Sequence, residues 1–513
     1  MSSNTQIILS TLNARYIHAS LGLRYLLANM GALRSQTQLV EFIINSRAID
    51  IVENLLQNDP KIIGLGVYIW NAEETLQVVK LLKSVSPETI VILGGPEVTY
   101  ETDQQEICNL ADYVITGQAD ISFRKTCDDL LKNRQPLQKV IKAEHFKLND
   151  IILPYREYGD EDIKNRVIYV EASRGCPYKC EFCLSSLDKT VYPFELDLFL
   201  AEIQILFERG VRSFKFIDRT FNLKIATSIK IMDFFLEKME DDANQLEKIY
   251  LHFELIPDHL PEKLKTVMQR FPDDSLQFEI GIQSLNPDIQ NTISRKQDDN
   301  KVAENMSWIR QHTSAHIHAD LIIGLPGETV ESFAKGFDQL VAMDPHEIQV
   351  GILKRLRGTP IIRHSEEYDM RYSPTAPYEI LSNNIIDFKT MQRLKRFARY
   401  WDMIANSGRF KHSKALLLGE QPFENFLSLS DWLHAKTDQT HKIALPRLFT
   451  LLRTAMVEEL DLNKSLSDEC LLKDFSESGI KGHPKFLQQN NHNATKETRR
   501  RSESRQQRHK SQL

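Results

Sequence analysis

The chain has 513 residues, of which 42% are hydrophobic and 26% are charged, and its formal net charge is −6. These fractions are those of a globular protein with about three domains of ordinary size. The small net charge excludes a strong electrostatic bias of the whole molecule toward nucleic acid or acidic membranes. Six cysteines in so long a chain do not make a disulfide framework, which indicates a reducing compartment.

The hydropathy of the chain predicts no membrane partner. The first residues lack the basic and apolar segments of a secretory signal, and no apolar run reaches the ~18 residues that a membrane span needs. We therefore expect a cytoplasmic protein.

Residues 1–140 alternate short apolar runs with amphipathic segments, a pattern that predicts an α/β domain with a doubly wound parallel sheet. The strand-like runs are residues 7–9, 40–44, 62–67, 90–93 and 113–115. In such sheets ligands bind at the carboxyl ends of the strands, where four loops of this chain are glycine-rich or polar. Any one of these loops can be a plain turn, but four on one edge favour a ligand site.

After a linker at residues 141–164, six further strand-like runs alternate with helices over residues 165–360. Six strand–helix units are too few to close an eightfold barrel, so a partial barrel is expected. Residues 361–480 read as a mainly helical region, with amphipathic helices at 378–405 and 443–460. Residues 481–513 are polar and basic, and we interpret them as a disordered tail.

Cys176, Cys180 and Cys183 form the pattern C-x3-C-x2-C in the loop after the first strand of the partial barrel. A structural zinc site would need a fourth ligand from a distant histidine or from Cys470, because no second cysteine pair follows. A ferredoxin-type cluster also needs a fourth cysteine. Three thiolates on a cuboidal iron-sulfur cluster would leave one iron open.

This spacing, with the aromatic Phe182 before the last cysteine, resembles the radical S-adenosylmethionine (radical SAM) superfamily. The resemblance implies a partial (β/α)6 radical SAM barrel and a 4Fe-4S cluster on the three cysteines. In that family the open iron binds SAM, and an electron from the cluster cleaves SAM to a 5'-deoxyadenosyl radical. The implied SAM-binding residues lie at strand ends and are Phe182, Asp218, Arg219, Glu254, Glu279, Gln283, Asp320 and Gly324.

A parallel-sheet domain before such a cysteine trio resembles the flavodoxin-like, cobalamin-binding domain of one radical SAM subfamily. The implied cobalamin contacts are Asn13, Tyr16, Gly22, Tyr68, Trp70, Asn71, Gly94, Gly95, Pro96 and Gly117. His18 departs from the Asp-x-His-x-x-Gly pattern that supplies an axial cobalt ligand. The loop from Gly117 to Asp120 departs from the Gly-Glu-Gly-Glu of relatives. The helical C-terminal region resembles an uncharacterised domain found in a branch of these proteins.

The two resemblances together imply an enzyme that methylates an unactivated carbon of a small molecule or biosynthetic intermediate, with reduced flavodoxin or ferredoxin as electron donor. One alternative is a radical rearrangement or oxidation in which cobalamin transfers no methyl group. A second alternative is a non-catalytic iron-sulfur protein that binds nucleic acid through its basic tail, although nucleic acid is not the expected partner.

Overall fold

A computed structural model of the chain describes residues 5–241 and 248–479. The predicted basic tail at 481–513 lies outside these residues. The chain divides into two compact units, of which the first comprises Met1–Phe253, Lys354–Ile362 and Ser373–Glu379. The second comprises Glu254–Leu353, Arg363–Tyr372 and Ile380–Leu513.

The first unit begins with a six-stranded parallel sheet in the order β2-β1-β3-β4-β5-β6. Its strands are β1 Ile7–Asn13, β2 Thr37–Ile43, β3 Ile62–Gly66, β4 Ile90–Gly94, β5 Tyr113–Thr116 and β6 Val140–Lys142. Its helices are α1 Leu21–Ala28, α2 Ala48–Leu56, α3 Ala72–Val85, α4 Glu106–Leu110 and α5 Ser122–Leu131. The doubly wound sheet is confirmed, and β6 is a strand that the sequence pattern did not predict.

Two apolar cores flank this sheet, one on each face. The side chains of one face pack with α2, α3 and α4, and those of the other pack with α1 and α5. Strands buried on both faces read as continuous apolar runs, which explains why five of them are visible in the sequence. The strand order reverses at β1 and β3, so the ligand crevice of the fold lies beyond their carboxyl ends.

The rest of the first unit contains three strands of the predicted partial barrel, in which β7 pairs with β10 and β10 with β11, all parallel. The strands are β7 Ile168–Val170, β10 Ser213–Phe216 and β11 Tyr250–Leu255, and a short antiparallel pair is formed by β8 Ser173–Arg174 and β9 Tyr192–Pro193. The helices are α6 Asp160–Asn165, α7 Leu196–Glu208 and α8 Ile225–Asp241.

The second unit contains the other three predicted strands, paired in parallel in chain order. They are β12 Leu276–Gln283, β13 His316–Ile323 and β14 Glu347–Ile352, with helices α9 Glu262–Met268, α10 Pro287–Thr292, α11 Asp299–His312 and α12 Val330–Ala342. All six strands expected between residues 165 and 360 are therefore present.

The C-terminal part of the second unit is mainly helical, as expected. Its helices are α13 Phe388–Ile404, α14 Lys411–Leu418, α15 Pro422–Thr437, α16 Leu445–Glu458 and α17 Lys464–Glu477, and they follow a hairpin of β15 Arg371–Tyr372 and β16 Ile380–Ser382. The prediction that a helix begins at Tyr378 was wrong, because residues 380–382 pair in the hairpin. The carboxylate of Asp387 caps α13 by accepting from the backbone amide of Thr390 at 2.8 Å.

Among the described residues no helix combines the length and the hydropathy that crossing a bilayer requires.

Five aromatic side chains form the core between α12, α13 and α15. They are Phe337, Phe397, Trp401, Phe423 and Phe426, and all are buried. Phe337 meets Trp401 edge to face with 4.7 Å between ring centroids, and Phe397 meets Phe426 in the same way at 5.4 Å. Such pairs add to the free energy gained from burial of their apolar surface.

We expect Phe397→Ala to destabilise the second unit by about 3–5 kcal/mol, because a large buried ring would leave a cavity. Urea unfolding monitored by near-ultraviolet circular dichroism would show the lowered midpoint. Phe388 is the matched control, since its ring is 54% exposed on the same helix. An equal loss of stability in Phe388→Ala would contradict the assignment of the core.

Candidate cofactor-binding site

The three cysteines lie in the loop after β7, between β8 and β9, which pair with each other. Cys180 is buried, and Cys176 and Cys183 are half-buried. The backbone amide of Cys183 donates to the carbonyl oxygen of Cys180 at 3.1 Å. Burial raises the pKa of the Cys176 thiol, and the thiols of Cys183 and Cys180 raise it further. A bound metal would reverse this effect, because coordination deprotonates a thiol.

Within residues 5–241 and 248–479, no three His, Cys, Asp or Glu side chains converge closely enough to hold a single metal ion. A cuboidal cluster does not require such convergence, because each thiolate binds a different iron. The three thiols in one folded loop therefore fit an iron-sulfur cluster by their donor chemistry. Of the other cysteines, Cys108 and Cys127 are buried, and Cys470 is half-buried.

Gly175 fixes the backbone immediately before Cys176. Its φ of +93° is in the left-handed region, and a Cβ at this position would overlap the carbonyl oxygen of Thr190. The overlap arises because β8 and β9 pair through Arg174 and Tyr192, which brings Thr190 against the glycine. The path of the chain into the cysteine loop thus requires glycine.

Asp218 lies beyond β10, is buried, and binds the start of the cysteine loop. Its carboxylate accepts from the backbone amide of Ala172 at 2.9 Å and from the hydroxyl of Ser173 at 2.6 Å. Burial raises the pKa of Asp218 to about 7. Of the other two SAM-binding candidates in the first unit, Phe182 is half-buried and Arg219 is exposed.

The remaining SAM-binding candidates belong to the second unit. Asp320 on β13 lies opposite Gly281 of β12, so Asp320 and Glu279 share one face of the sheet. Gln283 follows a bulge in β12 and has a φ of +71°. Glu254 is half-buried near the end of β11. The second unit thus brings Glu279 and Asp320 together on neighbouring strands.

Gly324 packs against neighbouring side chains of the second unit. A Cβ at this position would lie 2.6 Å from Cγ2 of Ile380 and 3.2 Å from Cε of Met391. The space beside the glycine is therefore filled by apolar side chains rather than left for a flat ring.

Glu328, four residues beyond Gly324, is a buried carboxyl that the sequence analysis did not select. It accepts a 2.6 Å hydrogen bond from the Ser284 hydroxyl, and its Oε2 has no hydrogen-bond partner among the described residues. Burial raises the pKa of Glu328 to about 7.

A cavity of about 300 Å³ opens at the carboxyl edge of the first sheet. Half of the predicted cobalamin contacts line this cavity, namely Gly22, Tyr68, Gly94, Gly95 and Gly117. Gly64 and Gly66 of β3 also line it, and a Cβ at Gly64 would overlap the ring of Phe123, which lines the cavity too. The polar residues Gln118, Asp120 and Arg174 complete the wall. Apolar walls with a polar end fit a cofactor such as cobalamin, which joins a flat heterocycle to a charged tail.

The other five cobalamin candidates do not line the cavity. The side-chain amide of Asn71 donates to the carbonyl oxygen of Leu12 at 2.9 Å, and its oxygen accepts from the amide of Tyr68 at 2.8 Å, so it organises the turn after β3. Trp70 is 45% exposed and stacks on Tyr68 with 4.4 Å between centroids. Asn13 is the last residue of β1, and its side-chain amide donates to Glu41 at 2.9 Å. In the loops after β1 and β4, the Tyr16 hydroxyl donates to Glu161 at 2.9 Å and Pro96 is half-buried.

His18 is likewise outside the cavity wall. Its Nδ1 is 2.7 Å from the hydroxyl of Tyr169, and its backbone bridges to Val167. Burial lowers the pKa of the imidazole, and the charges of Lys215 and Arg15 lower it further. These contacts tie the first loop to β7.

The turn after β4 is fixed on two sides. A Cβ at Gly95, where φ is +109°, would overlap the carbonyl oxygen of Val67. The buried carboxylate of Glu97 accepts from Nε of Arg357 at 2.8 Å and from the hydroxyl of Tyr378 at 2.7 Å. The glycines in this part of the cavity wall therefore have a fixed backbone.

Arg174 is the residue of this site that the sequence analysis missed. It stands two positions before Cys176, and it also lines the cavity. Its guanidinium donates to Asp120 at 3.1 and 3.2 Å, to Gln118 at 3.2 Å and to Glu171 at 2.8 Å. Its position beside the cysteine motif was the available signal, but sequence spacing cannot show which loop it reaches.

Comparison with protein families identifies three segments. Residues 8–125 match the B12 binding domain, residues 170–340 match the radical SAM superfamily, and residues 366–513 match a family described as a protein of unknown function (DUF4080). The expected domain types are thus confirmed, and with them the cofactor set of a 4Fe-4S cluster, SAM and cobalamin.

Two curated relatives are similar to parts of this chain. An uncharacterized methyltransferase of Pyrococcus horikoshii is 27% identical over 41% of this chain and 51% of its own length. The cobalamin-dependent radical SAM methyltransferase TokK of Streptomyces tokunonensis is 25% identical over 62% of this chain and 51% of its own. The chain thus spans about half the length of these relatives.

A solved structure confirms the fold class. The radical SAM methyltransferase TsrM from Kitasatospora setae, with cobalamin and a [4Fe-4S] cluster bound, aligns with a TM-score of 0.59 and 13% identity. The alignment covers 92% of this chain and 99% of that one. At this identity the likeness shows the fold alone.

We expect Gly175→Ala to prevent stable assembly of the cluster, because the methyl group would displace Thr190 and move the adjacent Cys176. Iron and sulfide would be counted after anaerobic reconstitution. Gly210→Ala is the control, since Gly210 has a similar φ of +99° but nothing lies within 4 Å of its added Cβ. Cluster content in Gly175→Ala equal to that of Gly210→Ala would contradict the requirement for glycine before Cys176.

The raised pKa of Glu328 predicts a pH-dependent stability. Between about pH 5 and 7 the folded state binds more protons at this site than the unfolded state, so its stabilising contribution is lost as the pH rises through about 7. The unfolding temperature of Glu328→Gln minus that of the wild type should therefore be larger at pH 8 than at pH 5. Thermal unfolding curves with a pH-independent difference would contradict this expectation.

Proposed function

We propose that this chain, which carries a B12-binding domain and a radical SAM domain, catalyses the cobalamin-dependent methylation of an unactivated carbon. The substrate would be a small molecule or a biosynthetic intermediate. When bound, the cluster and SAM would supply a 5'-deoxyadenosyl radical and cobalamin would supply the methyl group.

One observation carries the proposal. The glycine-lined cavity at the carboxyl edge of the first sheet has Arg174 in its wall, and Arg174 is two residues from the first cluster cysteine. A cofactor in this cavity would therefore lie against the same short segment that holds the cluster. A reaction that uses both cofactors on one substrate needs such proximity, because the reacting groups must be oriented together.

The cysteines, Asp218 and Gly95 of the first unit would have separate roles. Cys176, Cys180 and Cys183 would hold the cluster and leave one iron for SAM. Asp218 binds the backbone at Ala172 and so holds the beginning of the cysteine loop. Gly95 lets the turn after β4 lie against the backbone of Val67 and so fixes this part of the cavity wall.

The ring of Tyr68 would provide part of the apolar surface of the cavity. Trp70, which is 45% exposed, stacks on Tyr68 from outside the cavity wall. Stacked aromatic rings exclude water from a neighbouring planar ligand and bind it by dispersion. In the second unit, Glu279 and Asp320 on one face of the sheet could accept hydrogen bonds from the hydroxyl or ammonium groups of SAM.

Two relatives support methylation rather than a radical rearrangement or oxidation. Both the Pyrococcus protein and TokK are named methyltransferases, and TokK is named as cobalamin-dependent. The expected setting is the cytoplasm, with reduced flavodoxin or ferredoxin as electron donor. The nucleic-acid alternative depends on the basic tail, which lies outside the described residues.

The proposal can be tested with the anaerobically reconstituted protein, cobalamin, a reductant and SAM carrying a deuterated methyl group. Incubation with a small-molecule extract should give 5'-deoxyadenosine, S-adenosylhomocysteine and a product heavier by the labelled methyl group. Cys183→Ala should reduce 5'-deoxyadenosine to background, because the cluster needs all three thiolates.

Omission of cobalamin is the second control and should abolish S-adenosylhomocysteine while leaving some 5'-deoxyadenosine. Formation of 5'-deoxyadenosine without any S-adenosylhomocysteine, in protein shown to contain cobalamin, would favour the rearrangement or oxidation instead.

A further inference from the structure

Arg174 belongs to two parts of the molecule that are distant in sequence. It is the second residue of β8, in the loop that carries the cysteines, and its guanidinium reaches the loop after β5 of the first sheet. It also contributes to the wall of the cavity. A single side chain therefore lies both in the cavity wall and in the loop that carries the cysteines.

The surroundings of Arg174 hold its side chain in one orientation. The guanidinium forms a paired contact with both carboxylate oxygens of Asp120, and Glu171 binds Nε on its other side. Its plane lies over the ring of Tyr25, with 4.3 Å from the guanidinium carbon to the centroid. A planar, always charged group held by two carboxylates and an aromatic ring has little freedom to reorient.

Movement of Arg174 would be passed on to Cys176. Only Gly175 separates Arg174 from Cys176. Gly175 lies directly against the backbone of Thr190, which leaves no room for a side chain. At the other end, Glu171 follows β7 directly, and its backbone amide donates to the hydroxyl of Tyr155 at 3.1 Å. This hydrogen bond restrains the backbone at Glu171. The segment from Glu171 to Gly175 is therefore held by backbone contacts at both ends.

We propose that Arg174 is a positioning residue that couples occupation of the cavity by cobalamin to the geometry of the cysteine loop, so that cobalamin and the iron-sulfur cluster bind cooperatively. The inference rests on the proposed function, since it takes the cavity as the cobalamin site. A ligand in the cavity would pack against Arg174 and the loop of Gln118 and Asp120, and would restrict both. By thermodynamic reciprocity, an assembled cluster would then strengthen cobalamin binding by the same factor.

The coupling is measured as a ratio of two dissociation constants for hydroxocobalamin, one for the cluster-loaded protein and one for protein stripped of iron by a chelator. Titrations followed by corrin absorbance give both values without any catalytic turnover. For the wild type we expect binding to be tighter with the cluster by about 5-fold or more. In Arg174→Gln the ratio should fall to about 1, because the neutral amide cannot join Asp120 to Glu171.

Two further variants keep the test decisive if Arg174→Gln folds poorly. Arg174→Lys retains the charge but cannot form the forked contact, so it should give an intermediate ratio. Asp120→Asn removes the negative charge that pairs with Arg174 from the loop after β5, and it should also lower the ratio. The matched control is Arg34→Gln, which breaks the pair of Arg34 with Glu157 in the same unit and should keep the wild-type ratio, since Arg34 is 46% exposed and outside the cavity wall.

Electron paramagnetic resonance of the reduced cluster gives an independent readout. Addition of cobalamin should shift the g values of the cluster signal in the wild type and leave those of the cluster signal in Arg174→Gln unchanged. A wild-type ratio in Arg174→Gln and Asp120→Asn, or a wild-type ratio of 1 with cobalamin bound, would overturn the coupling and leave the proposed function standing. A wild-type protein that binds no cobalamin in either form would overturn the proposed function, and the coupling with it.

Discussion

The ion pairs of Arg174 are the interaction on which the arrangement of the candidate site depends. A largely buried guanidinium is tolerated only where carboxylates compensate the cost of removing it from water. Here one carboxylate, Glu171, directly follows β7 at the start of the cysteine loop, and the other, Asp120, lies in the loop after β5 of the first sheet. Removal of either acid would leave a buried charge with half of its compensation, so the cation requires both segments to stay together.

Two glycines fix the backbone of the candidate site because they have no side chain. Gly175 lets the chain pass under Thr190 on its way to Cys176, and Gly95 lets the turn after β4 lie against Val67. In both places φ is positive and the neighbour is backbone, which cannot move aside. The cysteine loop and the cavity wall are therefore fixed by the same device, and neither depends on a flexible contact.

Much of the fold could be predicted because buried parallel strands leave continuous apolar runs. The eleven strands expected in the two sheet regions are all present, whereas β6, with only Val140 and Ile141 as apolar residues, gave too short a run to recognise. The false start of α13 at Tyr378 has the opposite cause. Residues 380–382 are apolar enough to continue a helical pattern, but they pair with Arg371 and Tyr372, a partner that periodicity cannot reveal.

The sequence alone determined the donor set of the candidate cluster site, since three cysteines at fixed spacing supply three thiols wherever the loop lies. Its alternation of strands and helices also predicted a doubly wound sheet, in which ligands bind at the carboxyl ends of the strands. Only the tertiary structure decided which residues meet there. The Asn71 side chain organises the turn after β3, and Ile380 fills the space beside Gly324. Arg174 lies in the wall of a cavity formed by residues more than fifty positions earlier in the chain. Long-range contacts of this kind depend on how packed elements fit together, which local pattern does not encode.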